Sequence, residues 1–313
     1  MSPAALEHAT AFAPASVGNV AIGFDILGFA VDALGDRVTV RRRAEPGVAI
    51  GAVRGVAVEL PREPRDNTAG RALLAMQEAL RLGFGFTLEI DKGIPLGSGL
   101  GGSAASAVGA VVAANALLPQ ACSPLELLKF AMAGEVVASG TPHVDNIAAS
   151  LYGGLVLTVG IDHPRVKQIP VPAGIRAVIV HPHMFLSTSQ ARAILRGSVQ
   201  MSDFVWQTAN LAGFISGCYT DDLDMIRTSL EDVVIEPQRQ ALIPGFLDVR
   251  RGAMEAGALG CSISGAGPSM FAWAPEASAA AVLAAMQSAF GRHALATDAW
   301  VVAVQSSGAR LIG

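Results

Sequence analysis

Ile94 to Ala105 reads I-P-L-G-S-G-L-G-G-S-A-A, and its residue types suit one kind of chemistry, the holding of a phosphate. Four glycines and two serines stand between an acidic, strand-like segment from Phe86 to Asp91 and a helix-like segment from about Ser103 to Asn115. Glycine has no Cβ, so its N–H can approach a ligand closely and its φ can turn positive. The helix behind the loop aims unpaired first-turn amides and the positive end of its dipole into it. An anion gripped by peptide nitrogens is the expected result.

Different sites share that composition. Gly97-Ser98-Gly99-Leu100-Gly101-Gly102 satisfies the dinucleotide pattern G-x-G-x-x-G, which needs a strand, the loop, a helix and a second strand closed by an acidic ribose ligand. Pro95 interrupts the approach, and Ser123-Pro124-Leu125-Glu126 after the helix begins another helix, which argues against a nicotinamide site. A Walker A loop ends in Gly-Lys and a hydroxyl residue, whereas Gly102-Ser103 has no lysine. A glycine turn without a ligand is the remaining alternative.

Other chemistry-bearing residues are scattered. On the helix opened by Pro124, Leu125, Leu128 and Met132 share a face, and Glu135 falls within ~20° of Leu128 at 100° per residue. A carboxylate on an apolar stripe needs a partner, either a buried arginine or a divalent cation that bridges phosphates. Asn19 and Asp25 lie in a Pro-, Gly- and Asn-containing loop and read by themselves as turn residues. His143, Asp145 and Asn146 lie in a polar turn that enters a short helix; a lone loop histidine is more often a surface residue. Asn67 reads as a helix cap. Arg192 and Arg239 supply guanidinium forks of the kind that hold carboxylates, and surface salt bridging is the plain alternative for each.

The elements that must position these residues follow in order. Ala9 to Ala13 is strand-like, and strand character returns from Phe24 to Val40; Val48 to Leu60 alternates like a hairpin. Asp66-Asn67-Thr68 opens a helix to about Leu82, with Leu73, Met76 and Leu80 as its buried stripe. Leu155 to Val159 is a strand, and the proline-containing stretch Ile161 to Pro172 is the expected linker. Arg176 to His181 is a buried strand, helices follow at about Asp203 to Gly217 and Leu223 to Val233, and Gly257 to Ala272 reads strand, glycine loop, strand. A helix from Glu276 to Phe290 and a strand from Ala299 to Val304 complete a βα, ββ, αβ pattern.

Composition sets the class. With 313 residues, 51% of them hydrophobic and 15% charged, the chain buries a core of one large or two ordinary domains. A net charge of −4 argues against a nucleic-acid surface, and Arg41-Arg42-Arg43 reads as an exposed strand end. Cys122, Cys218 and Cys261 are too far apart for a metal knuckle and are expected reduced. The most apolar window, Ala104 to Leu118, is too short to span a bilayer, so a soluble cytoplasmic protein is expected.

P-L-G-S-G-L-G-G-S-A-A-S resembles P-x-G-x-G-L-G-S-S-A-A, the phosphate motif of the GHMP kinases, which act on galactose, homoserine, mevalonate and phosphomevalonate. Gly102 departs from the family serine and leaves Ser103 as the hydroxyl near the metal. Further segments resemble the homoserine branch. Pro14 to Asp25 is similar to P-A-S-S-A-N-L-G-P-G-F-D, with Gly18, Ala21 and Ile22 departing. His143 to Gly154 is similar to H-P-D-N-V-A-P-A-L-L-G-G, Leu186 to Arg192 to L-S-T-x-x-A-R, and Glu236 to Pro244 to E-P-x-R-x-x-L-I-P. Gly257 to Ala272 resembles the family's third motif.

The resemblance implies an α+β, two-domain GHMP kinase fold: residues 1–160 as an N-terminal ATP-binding domain with a left-handed βαβ crossover, and 161–313 as a C-terminal ferredoxin-like domain. It implies ATP-dependent phosphorylation of the side-chain hydroxyl of L-homoserine, in threonine biosynthesis. Another small hydroxyl acceptor, or a nucleotide sensor without turnover, is the alternative. ATP would meet Asn67 at its adenine and Pro95, Leu96, Gly97, Ser98, Gly99, Leu100, Gly101, Gly102, Ser103 and Ala104 at its phosphates, with Mg²⁺ on Ser103 and Glu135. Homoserine would meet Asn19, Asp25, His143, Asp145, Thr188, Arg192 and Arg239. Glu135, Asp145, Asn146 and Arg192 form the implied catalytic set. Mevalonate-type relatives carry an aspartate proposed as base where this chain has Asn146, and an amide cannot take that proton. Catalysis without a dedicated base is therefore expected, with Asp145 as the fallback. The expected partners are ATP and homoserine, neither nucleic acid nor membrane, with a homodimer allowed.

Overall fold

The chain folds around two sheets, and the computed structural model describes residues 6–139 and 144–312. Strands β1 (His8–Gly18), β2 (Leu27–Arg43) and β3 (Val48–Gly55) precede helix α1 (Thr68–Leu80) and strand β4 (Gly85–Lys92). Helices α2 (Gly102–Asn115), α3 (Pro124–Ser139) and α4 (Asp145–Tyr152) lead to the hairpin of β5 (Leu155–Val159) and β6 (Arg165–Ile169). Then come β7 (Ile175–Pro182), α5 (Thr188–Ala193), α6 (Met201–Thr220), α7 (Leu223–Ser229), α8 (Glu236–Arg239) and α9 (Phe246–Glu255). The order closes with β8 (Gly260–Ile263), β9 (Met270–Pro275), α10 (Glu276–Arg292), β10 (Thr297–Ala303) and β11 (Arg310–Ile312).

The first sheet has the order β11-β1-β2-β4-β3, with β5 on β2 and β6 on β5. Val48 to Leu60 is not the hairpin its alternation suggests. β3 is a single strand that runs parallel to β4 and is joined to it by α1, a βαβ unit. Alternation reports a half-buried strand but not the direction of its partner. Helix α2 lies over β1 and β2 and is buried on every side, because alanines and Gly109 let it sit close to the sheet. A Cβ on Gly109 would lie 2.8 Å from Val38. Helices α1, α3 and α4 pack around it. On α3 the expected Ser123–Glu126 capping box is present, and Leu128 and Met132 are buried. Leu125, in the first turn, is instead exposed, since the helix begins beyond the cover of its neighbours.

The second sheet, ordered β10-β7-β9-β8, is antiparallel throughout, and α9 and α10 pack on it over a core that includes Phe246, Val249, Met286 and Phe290. Its succession of strands and helices is the βα, ββ, αβ pattern of a ferredoxin-like unit. The expected linker at 161–172 contains β6, whose exposed Arg165, Lys167 and Gln168 leave little apolar signal, as is usual for an edge strand. The expected division at 160/161 thus falls between two paired strands, and β11 returns from the far end of the chain to β1. Helix α7 stops at Ser229, four residues before the expected end, because Asp232 turns the chain by accepting the N–H groups of Val234, Ile235 and Glu236. Among the described residues no helix is long and apolar enough to cross a membrane.

Candidate active site

The loop after β4 carries alternating left-handed glycines, Gly97 (φ +62°), Gly99 (φ +77°) and Gly101 (φ +67°), a conformation that side-chain-bearing residues rarely adopt. Gly101 caps α2 without any side-chain hydrogen bond, so the amides of that N-terminus are left for another acceptor. The loop carbonyls are drawn outward one by one. Gly97 O accepts from Leu186 N (3.1 Å), Ser98 O from Ser269 N (3.1 Å), Gly99 O from Ser264 Oγ (2.7 Å) and Leu100 O from Ser16 N (3.1 Å). Gly101 O accepts from Ala105 N (2.9 Å) inside the helix, and Gly102 O from Lys92 Nζ (2.7 Å). With its carbonyls held this way, the loop offers a ligand its nitrogens, which makes it an anion cradle.

Lys92, Asp36 and Ser106 are fixed behind that cradle and were not foreseen in the sequence. Lys92 Nζ pairs with Asp36 Oδ2 and lies 3.0 Å from Ser106 Oγ, and both charged groups are fully buried. Asp36 Oδ1 also accepts from Gly93 N (3.1 Å) and Ile94 N (3.4 Å), so one ion pair holds both ends of the loop. A strand-end Asp-Lys-Gly gives no hint of a partner 56 residues away.

Pro95, Leu96, Gly97, Ser98, Gly99, Gly101, Gly102 and Ser103 line a cavity of about 360 Å³, with Asn19, Phe24, Asp25, Glu135, Asp145, Asn146, Phe185, Thr188, Arg192 and Arg239 on its other walls. Leu100 and Ala104 are packed beneath the loop rather than on the cavity. Asn67 is also away from it. Its Oδ1 accepts Ala69 N and Gly70 N (both 3.1 Å) as the N-cap of α1, and its Nδ2 donates to Pro61 O (3.1 Å). His143 lies outside the described residues.

Glu135 reaches the mouth of α2 because Gly134 permits close packing of α3 on α1; a Cβ there would lie 2.3 Å from Thr68 O. The buried Glu135 accepts from Ser103 Oγ at 3.0 Å. A hydroxyl and a carboxylate beside a phosphate cradle are hard oxygen donors of the type Mg²⁺ takes. Among the described residues no three His, Cys, Asp or Glu side chains gather into a metal cluster.

The opposite wall is assembled by the turn after β1, by α4 and by the segments before and within α5 and α8. Asn19, Val20, Ala21 and Asp25 all have left-handed φ, and this tight turn aims Asn19 and Asp25 inward. Asn19 Oδ1 accepts Asp25 N (3.0 Å), Asn19 Nδ2 donates to Gly265 O (2.9 Å), and Asn19 N donates to Asp145 Oδ2 (3.1 Å). Asn146 donates to Asp145 Oδ1 (3.2 Å) and accepts from Ser16 Oγ (2.9 Å), so both ends of its amide are used. Helix α5, opened by a Ser187–Gln190 capping box, presents Arg192, whose Nη2 donates to both oxygens of Asp25 at 2.8 and 2.9 Å. Arg239 is buried, donates to Ala191 O (2.9 Å) and Gly265 O (3.1 Å), and has its pKa pushed down to about 10 by burial and by the neighbouring Arg192, so it stays cationic at neutral pH. Both guanidinium carbons lie over the Phe24 ring, at 5.1 and 5.2 Å from its centroid. Two converging cations on an aromatic floor, opposite an anion cradle, suit a small carboxylate-bearing acceptor next to a polyphosphate donor.

Comparisons with known proteins show the family. Residues 67–154 match the GHMP kinases N terminal domain and residues 214–292 the GHMP kinases C terminal domain. The homoserine kinase of Xanthomonas campestris is 50% identical over 308 residues, which cover 98% of this chain and 95% of the relative. That of Chlorobaculum tepidum is 43% identical over 98% of this chain and 99% of its own. The crystal structure of homoserine kinase from Cytophaga hutchinsonii superposes with a TM-score of 0.95 at 42% identity, covering 100% of this chain and 99% of that one.

Proposed function

The chain belongs to the GHMP kinase family, and from that premise we propose that it transfers the terminal phosphoryl group of ATP to the side-chain hydroxyl of L-homoserine, giving O-phospho-L-homoserine for threonine biosynthesis. The observation that carries the reading is the outward pull on the loop carbonyls in the same cavity that Arg192 and Arg239 line. One wall suits a polyphosphate and the other an amino acid.

Phosphoryl transfer through a loose transition state needs alignment and charge neutralisation more than covalent help. The amides of the loop and of the α2 N-terminus receive the phosphates. Ser103 and Glu135 would hold Mg²⁺, which when bound neutralises charge on the phosphate oxygens. Arg192 and Arg239 take the carboxylate of the acceptor, while Asn19, Asp25 and Thr188 orient the rest of it, with His143 assigned beside them from the family pattern alone. Asn146 is an amide, held by Ser16 and Asp145, and cannot serve as a base, so the hydroxyl proton leaves to a phosphate oxygen or water. Asp145 accepts from Asn19 N and Asn146 Nδ2 and orients both residues; it is the fallback base. The same reading makes the protein a cytoplasmic enzyme, and sedimentation would check the homodimer.

A coupled assay of ADP release over a panel of hydroxy amino acids tests the proposal. Turnover with L-homoserine well above L-serine and L-threonine is expected. A different preferred alcohol would reassign the acceptor, nucleotide binding without turnover would make the protein a sensor, and thermal protection by NADH but not ATP would sink the kinase reading.

A further inference from the structure

The segment after β8 touches both halves of the site. Ser264 is fully buried, and its Oγ donates to the Gly99 carbonyl at 2.7 Å, which holds that carbonyl away from the cavity. The next residue does the corresponding work on the other wall. Gly265 O accepts from Asn19 Nδ2 at 2.9 Å and from Arg239 Nη1 at 3.1 Å, while Gly265 N donates to Gly18 O at 3.1 Å. The backbones concerned are in contact: a Cβ on Gly99 would lie 2.5 Å from Ser264 O and 2.6 Å from Gly267 O. A displacement of Gly265 therefore cannot be absorbed by slack between the two segments.

We propose that Ser264 is a positioning residue that couples the two substrate sites, tying the phosphate loop to the arginine that receives the acceptor's carboxylate. The proposal rests on the kinase reading above. Leu186 and Ser269 also hold loop carbonyls, but with peptide N–H groups that a side-chain substitution leaves in place. Ser264 is the member of the set whose donor is a side chain from the turn after β8. When an acceptor fixes Arg239, it restrains Gly265 and, through Ser264, the Gly99 peptide. The nucleotide then meets a loop that is already ordered, and the two ligands bind with positive coupling. Linkage makes the effect reciprocal, so nucleotide must tighten the acceptor by the same factor.

Calorimetric titration of the non-hydrolysable analogue AMP-PNP with Mg²⁺, with and without saturating L-homoserine, reads this factor. Wild-type protein should bind AMP-PNP roughly 5- to 150-fold more tightly in the presence of homoserine, the usual span of such couplings. In Ser264→Ala the factor should fall to near one, while the Kd for homoserine alone stays within about twofold of wild type, because the Arg239 contacts are untouched. A merely structural role would lower Tm and leave the ratio intact. An unchanged ratio in a folded Ser264→Ala, or a ratio of one in the wild type, overturns the coupling. Wild-type protein that does not bind AMP-PNP at all defeats the kinase reading instead. If Ser264→Ala does not fold, Ser264→Cys decides, since its thiol donates only weakly and should give an intermediate ratio; a wild-type ratio there also overturns the proposal.

Discussion

Charge is used differently on the two walls of the cavity. Behind the phosphate loop, Lys92 and Asp36 form an ion pair with 1% and 0% of their side chains exposed, and neither faces the ligand. On the acceptor wall, Arg192 and Asp25 form a pair with 33% and 34% exposed, and both line the cavity. Breaking a buried pair strands an uncompensated charge, so Lys92 and Asp36 act as fixed scaffold. The one-third-exposed pair stands on the cavity, where an incoming carboxylate can compete with Asp25 for Arg192. On the proposed function, a nucleotide common to many kinases would be met by backbone, and the acceptor that distinguishes this one by side chains.

The largest effect should come from the residue between the walls. Glu135→Gln keeps the shape of the side chain and its bond to Ser103 but removes the charge beside the phosphates. A fall in kcat on the order of 10³-fold is expected with Tm retained, comparable to losing one group that stabilises charge in the transition state. Full activity in this variant would remove Glu135 from the metal site. On the acceptor wall, Arg192→Ala should raise the homoserine KM by the equivalent of up to ~2 to 5 kcal/mol, the upper figure being the cost of losing a desolvated charge pair to the substrate, and leave the ATP KM alone. A variant that disturbs both constants equally would erase the distinction between the walls, and an unchanged homoserine KM would reject the assignment.

What the sequence discloses about each wall follows from the physics used to build it. The glycine loop is legible because left-handed φ values and an uncapped helix leave glycines at fixed spacing. The capping box of α3 and the buried position of Glu135 are legible for the same local reason. Lys92 and Asp36 are not, since a pair closed across β2 and β4 has no local spacing. The acceptor wall is drawn from the turn after β1 and from α4, α5 and α8, and only family resemblance brought Asn19, Asp145, Arg192 and Arg239 together in advance. Similarly, the polar edge strand β6 hides in a stretch that reads as a linker.

The acceptor wall also carries a pH signature. Glu236, just before Arg239 on α8, accepts from Ser262 Oγ and lies 3.7 Å from Arg250, with Asp232 and Glu231 near it. Burial pushes its pKa up to about 7, against the opposing pull of Ser262 and Arg250. The folded state therefore binds this proton more tightly than the unfolded chain, and stability declines as pH rises from ~4.5 to about 7, then levels. The loss is at most ~3 kcal/mol. Tm measured from pH 5 to 8 should fall less steeply in Glu236→Gln than in wild type. Asp232, also raised by burial, leaves a residual slope of the same sign. Parallel slopes in the two proteins would place the titration elsewhere.

The smallest effect decides how far the nucleotide wall extends. Asn67 is assigned to the adenine by family resemblance, yet its amide is spent on Ala69, Gly70 and Pro61, and it lies 3% exposed at the start of α1. A cap and an adenine contact predict opposite outcomes. If the side chain serves the helix, Asn67→Ala should cost ~1 kcal/mol of stability, as cap removal usually does, and leave the ATP KM unchanged. Asn67→Ser should then restore most of the stability, because serine caps nearly as well with a shorter side chain. If the side chain reads adenine, both variants should raise the ATP KM together, and serine should rescue Tm without rescuing binding. The pair of measurements separates a residue that holds the helix beside the phosphate loop from one that touches the nucleotide itself.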